Sequence, residues 1–146
     1  MFTGLVETVG TLVGRESFEK GVRFRAESEI APELGEGDSV SIDGVCHTIF
    51  DISDGGFSWE SIRTTLSRTT LGEFEPGRAI NLERAIRAGQ PMGGHLVQGH
   101  VDGVGEMTEV EHAGETVFLR FRMPPDVGRL TVLYGSISMD GISLTV

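Results

Sequence analysis

The residues of this chain best equipped for chemistry are two histidines, a lone cysteine and two short runs rich in hydroxyls. His95 and His100 stand five apart in "GGHLVQGHVDG". Five residues put side chains on opposite sides of a strand and apart on a helix, so the pair alone is a weak metal site. A single imidazole can instead move protons near neutral pH. His112, in the polar run "EVEHAGE", reads as a surface residue. Cys46 lies in "SVSIDGVCHTI", where a small buried residue is the ordinary reading. No His and carboxylate at a recognisable spacing make it a thiol-protease nucleophile. His47 falls between Cys46 and Thr48 within a strand and so faces away from both.

The cysteine run, Ser39 to Ile49, returns at the end of the chain as "SISMDGISLTV", Ser136 to Val146. Five of the eleven positions are identical and four more exchange one aliphatic residue for another. A second pair of runs aligns in the same order, "FTGLVETVGTL" with "LVQGHVDGVGEM", matching Gly4 to Gly99, Val6 to Val101 and Gly10 to Gly105. The offset is 95 there and 97 between the serine runs. So long a period excludes a solenoid and implies a duplicated domain, residues 1–90 and 91–146.

The elements that must position these residues read as strands. "SVSIDG", "SISMDG", "GVRFRAE" and "VFLRFRM" alternate with period two and are bounded by Gly, Asp or Pro. "ISDGGFSWES" predicts a hairpin turning at Asp54 to Gly56. "IAPELGEGD" reads as a short helical turn between strands, and only "RTTLSRTTLG" and "PPDVGRLTV" have room for a turn or two of helix. The expected fold is all-β: a small antiparallel barrel, present twice, because closure removes exposed edges. The first copy continues roughly 38 residues past its serine run while the second stops with it, so the second barrel is expected to be incomplete, the chain being a fragment rather than one whose missing strands a partner supplies. The Asp-Gly pairs at Asp43-Gly44 and Asp140-Gly141 predict bends that present the residues after them. Hydroxyls and amides at such a bend suit the imide edge of a flat heterocycle.

Composition narrows the function classes. With 22 Asp plus Glu against 12 Lys plus Arg, the net charge is -10, which disfavours nucleic acid. Lys20 is the only lysine. The acid excess fits a high-salt cytoplasm, and a GC-rich genome would equally favour Arg over Lys. One cysteine allows no intrachain disulfide and fits a reducing compartment. There is no signal-peptide pattern in "MFTGLVETVG" and no apolar run long enough to span a membrane, so a cytoplasmic protein is expected.

The ordered motifs "MFTGLVETVG", "SVSIDGVCHT", "LSRTTLG", "NLERA", "GGHLVQGHVDGVG" and "GSISMDGISLTV" resemble the α-type riboflavin synthase family along the whole chain. The resemblance implies two Greek-key six-stranded barrels and, in the full-length protein, a C-terminal helix that holds a homotrimer together. It implies dismutation of two molecules of 6,7-dimethyl-8-ribityllumazine into riboflavin and 5-amino-6-ribitylamino-uracil, with no cofactor and no metal. The active site would lie between the first barrel of one subunit and the second of its neighbour, and each repeat would cradle one ring. Carried over by motif, the substrate contacts are Gly4, Leu5 and Val6, the triplet Cys46, His47 and Thr48, and its counterpart Ser143, Leu144 and Thr145. Glu60, Ser61, Ile62, Arg63, Thr64 and Thr65 would close the first pocket, and Gly99, His100 and Val101 match the histidine segment. His100 is the expected proton-transfer residue, with Ser39 and Cys46 polarising or positioning the rings, and His95 is expected to be structural. Three positions depart from the family pattern. His47 stands where leucine is usual, on a side chain expected to face outward. Arg63-Thr64 replaces a common Pro-Glu pair, and Tyr134, a further expected contact, replaces a lysine. A non-catalytic lumazine- or flavin-binding relative of the same fold is the alternative; Ser39, Cys46 and His100 together favour the enzyme.

Overall fold

Alternating residues can bury one face of a strand only against a second layer or a sheet closed on itself, and this chain takes the second course. A computed structural model describes residues 1–146. Strands β1 (Thr8–Phe18), β2 (Gly21–Glu27), β3 (Ser39–Ile42), β4 (Val45–Ser53), β5 (Gly56–Ile62) and β6 (Ala79–Arg84) form a closed antiparallel barrel in the order β1-β2-β5-β4-β3-β6. Between β5 and β6 lies the short helix α1 (Arg63–Arg68). Single 3-10 turns occupy Ala31–Glu33 and Thr70–Glu73, within the runs expected to hold helical turns.

The interior is filled from every strand: Leu12, Phe24, Val40, Ile42, Ile49, Phe57, Trp59, Ile80 and Leu82 are fully or almost fully buried. Trp59 stacks on Phe24 with ring centroids 5.3 Å apart, and Leu71 and Phe74 join the same cluster. Large apolar side chains stabilise by about 1.5–3 kcal/mol each when fully buried, so this cluster dominates the stability of the chain.

The second repeat does not close. Strands β7 (Glu106–Ala113) and β8 (Thr116–Arg122) form one hairpin, and β9 (Ser136–Met139) and β10 (Ile142–Thr145) another, with helix α2 (Pro125–Gly128) between them. Neither hairpin joins the apolar cluster, and Met107, Phe118, Leu119, Leu130, Val132 and Leu133 remain exposed.

Three of the four Asp-Gly pairs are two-residue hairpin turns; Asp102-Gly103 lies in the segment leading into β7 and is not one. Asp43-Gly44, Asp54-Gly55 and Asp140-Gly141 have positive φ at both residues, as a type I′ turn requires. The first and last turns also meet: a Cβ on Gly44 would lie 2.8 Å from the Gly141 nitrogen. The two repeats therefore touch through equivalent residues.

Candidate functional site

The β3–β4 hairpin sorts its residues by alternation. Ser39 pairs with Thr48, Val40 with His47, Ser41 with Cys46 and Ile42 with Val45. Val40, Ile42, Val45 and His47 point into the barrel, leaving Ser39, Ser41, Cys46 and Thr48 as a grid of three hydroxyls and a thiol outside. The β9–β10 hairpin repeats the arrangement, pairing Ser136 with Thr145 and Ser138 with Ser143. Ser41 is on that face but buried, covered where the Gly141 turn approaches, so the accessible part of the grid is Ser39, Cys46 and Thr48.

His47 corrects an expectation. Its side chain faces inward and is buried, where it lies 6.1 Å from the Trp59 ring. Nδ1 lies 3.1 Å from the Val45 carbonyl and Nε2 2.8 Å from the Ser61 hydroxyl. A neutral ring protonated on Nδ1 satisfies both contacts, donating to Val45 and accepting from Ser61. Burial pushes its pKa down to about 4, against a smaller opposing effect of the Val45 carbonyl. The barrel tolerates an imidazole in an apolar interior because both ring nitrogens have partners.

A crossed pair of segments completes each hairpin. Phe2 and Val97, equivalent residues of the two copies, exchange reciprocal backbone hydrogen bonds of 2.8 and 3.0 Å. Beyond this bridge each segment runs on to the other repeat's hairpin. The Cys46 amide donates to the Gly99 carbonyl at 2.9 Å, and the Ser143 amide donates to the Gly4 carbonyl at 2.7 Å. The approach is so close that a Cβ on Gly99 would lie 2.6 Å from the Cys46 Cβ, and one on Gly4 2.7 Å from that of Ser143. Both glycines also have positive φ, so their type is fixed twice over.

This exchange brings together many of the expected residues. On the first-barrel side it gathers Cys46, with Ser39 and Thr48 on its face, beside Gly99, His100 and Val101. His100 is exposed, and Val101 packs against the first barrel's core although it belongs to the second repeat. On the other side it gathers Gly4, Leu5 and Val6 beside Ser143 and Thr145, while Leu144 takes the inward position of His47. His95 joins this second group, its Nδ1 2.7 Å from the Ser143 hydroxyl. A groove of about 800 Å³ opens in the second repeat, lined by His100, Val101, Leu119, Ile137 and Leu144 among others, with Thr69 and Thr70 of the first barrel at its edge.

The remaining expected residues lie elsewhere. Glu60 is outside the barrel, bonded to the Arg23 guanidinium at 2.7 and 3.1 Å, whereas Ser61 points inward to His47. Ile62 is exposed, and Arg63, Thr64 and Thr65 open α1, with the Arg63 guanidinium on the Glu19 carbonyl. Tyr134 is 82% exposed, with a positive φ just before β9. No three His, Cys, Asp or Glu side chains converge as a metal site, and no helix is long and apolar enough to cross a membrane.

Comparison with known proteins agrees with the duplication. The lumazine binding domain family model matches residues 3–85 and again 98–146. The riboflavin synthase of Mycobacterium bovis is 43% identical over 148 residues, covering all of this chain and 74% of that protein. That of Bacillus subtilis is 37% identical over 150 residues, covering all of this chain and 68% of that protein. Among solved structures, LumP complexed with riboflavin superposes with a TM-score of 0.89 at 20% identity, over 99% of this chain and 79% of that one. At that identity the likeness speaks to the fold.

Proposed function

We propose a function from one premise: the chain belongs to the riboflavin synthase family of duplicated lumazine-binding domains. Its outer β3–β4 face, completed by the Gly99–Val101 segment, binds 6,7-dimethyl-8-ribityllumazine. Bound there, the ring serves the dismutation that yields riboflavin and 5-amino-6-ribitylamino-uracil. The observation that supports this reading is the reciprocal docking of Gly99 on Cys46 and Gly4 on Ser143, in which each repeat's hairpin meets a segment of the other copy in the same way.

The chemistry asks little of the protein beyond placement and proton movement. The 7-methyl group of the lumazine is acidic because its carbanion delocalises into an electron-poor ring. A four-carbon unit passes from one lumazine to the other, and every atom of the two substrates appears in the two products, so no external oxidant or reductant is needed. His100 follows directly on the Gly99–Cys46 contact and is exposed, so its ring is free to reach a ligand bound beside that contact. Ser39, Cys46 and Thr48 offer hydroxyl and thiol contacts to the ring edge. In the same reading residues 1–90 and 91–146 are the two lumazine-binding units. The full-length protein is, in this reading, a cytoplasmic homotrimer whose sites form between the first barrel of one subunit and the second barrel of its neighbour.

The contrast between the closed first barrel and the open second repeat favours a second reading, in which this chain binds the lumazine without turning it over. One titration tests both. Adding 6,7-dimethyl-8-ribityllumazine in low and high salt, ligand fluorescence reports binding and absorbance reports riboflavin. Binding with riboflavin formation supports the enzyme, binding alone supports the second reading, and no binding refutes both.

A further inference from the structure

Glu83, on β6, has a buried carboxylate to which neither the expected site nor the reaction gives a task. It stands on the outer face opposite Ser41 and is only 4% exposed. Its neighbour Arg84 pairs with Glu7 and Glu33 instead. Its partners are all in the crossing N-terminal segment. Oε1 accepts from the Thr3 amide at 2.6 Å and the Thr3 hydroxyl at 2.7 Å, and Oε2 accepts from the Gly4 amide at 3.0 Å. A buried carboxylate is costly unless its oxygens are satisfied, and here two backbone N–H groups and one hydroxyl do so.

Those contacts reach further. With its N–H groups held by Glu83, the Thr3–Gly4 backbone turns its carbonyls to the second repeat. The Thr3 carbonyl accepts from the His95 amide at 3.0 Å and the Gly4 carbonyl from the Ser143 amide at 2.7 Å. His95 in turn touches the Ser143 hydroxyl. A first-barrel side chain thus fixes the backbone against which a second-repeat motif is built. The other crossing, Gly99 on Cys46, makes no hydrogen bond to the Glu83 carboxylate.

We propose that Glu83 is the positioning residue for the second-repeat half-site, acting through Thr3 and Gly4 on His95 and Ser143. As a statement about ligand, this rests on the function proposed above; as a statement about position, it does not.

Amide hydrogen exchange on the intact 146-residue chain, without ligand, reads the positioning directly. Glu83→Gln keeps one acceptor oxygen and replaces the other by a donor that faces a donor. Thr3→Val removes a hydroxyl from the opposite end and leaves the barrel untouched. A hydrogen bond to a charged group corresponds to roughly tenfold to hundredfold in an opening equilibrium. Both variants are therefore expected to speed exchange at the Ser143 and His95 amides by that factor, with the Cys46 amide unchanged. Equal acceleration at Cys46 in both variants would make Glu83 an ordinary structural residue, and no acceleration at Ser143 would equally overturn the proposal. A second arm adds 6,7-dimethyl-8-ribityllumazine and follows the amide shifts of residues 143–145 and 46–48. Loss of the response at 143–145 alone in the variants extends the positioning to ligand, whereas retention of both responses overturns that extension. No response in the unsubstituted chain would refute the functional reading, and the exchange rates would still decide the positioning.

Discussion

Gly44 and Gly141, at the tips of equivalent hairpins, abut across the boundary between the repeats. A Cβ on Gly44 would lie 2.8 Å from the Gly141 nitrogen, and one on Gly141 would lie 3.0 Å from the Gly44 nitrogen. Both residues have φ near +80°. With the reciprocal Phe2–Val97 bridge, this contact marks an approximate two-fold relation between a closed barrel and an open one.

Gly141→Ala should therefore loosen the second repeat while sparing the first barrel. A residue with a side chain held at such a φ costs about 1–3 kcal/mol, and the collision is with backbone, which cannot turn aside. Limited proteolysis checks this: cleavage within residues 91–146 should accelerate while the fluorescence of Trp59, the only tryptophan, keeps its unfolding midpoint.

Proteolysis of the unsubstituted chain should already discriminate between the copies. The buried apolar cluster runs from Leu12 to Leu82, all within the first repeat. Residues 1 to about 88 should survive as a resistant core while the remainder is cut, since local opening follows the density of buried contacts. Equal protection along the chain would contradict this.

Acid should destabilise the barrel through His47. Its folded pKa of about 4 lies below the ordinary histidine value of 6.5, so protons bind the unfolded chain more tightly. The stability is complete above pH 6.5 and is lost as pH falls toward 4, by about 3 kcal/mol. Asp43 works in the opposite direction: burial raises its pKa, so its contribution improves as it protonates. Comparing urea midpoints of the native chain and His47→Leu at pH 7.5 and 4.5 isolates the histidine. The variant should lose most of the difference, and at neutral pH it should be weaker by about 1 kcal/mol for the stranded Ser61 hydroxyl.

Two substitutions in the crossing segment should separate placement from proton transfer. Gly99→Ala sets a methyl against Cys46 and should weaken lumazine binding at least about tenfold, by the same 1–3 kcal/mol of strain. His100→Gln should leave that affinity within about threefold and lower riboflavin formation by about 10²–10⁴, the usual contribution of a positioned acid or base. Unchanged turnover in His100→Gln would remove the proton-transfer assignment.

Much of this was legible in the sequence because strands declare themselves locally. Period two in "GVRFRAE" and "VFLRFRM" marked β2 and β8, and three of the four Asp-Gly pairs marked turns whose positive φ few other dipeptides adopt. The repeated serine run fixed which residues are equivalent, since duplication copies register along with sequence. Alternation alone, however, says only that His47 opposes its neighbours, not which side is interior. That choice was made when β6 paired with both β1 and β3, closed the barrel and enclosed the imidazole with Trp59. The crossing of Phe2–Gly4 and Val97–Gly99 and the task of Glu83 were likewise decided in three dimensions. Glu83 and Thr3 are 80 residues apart, and their bond exists only because the N-terminal segment passes over β6 on its way to the other repeat. Local chemistry wrote the strands and turns, and chain closure chose which side chains would meet.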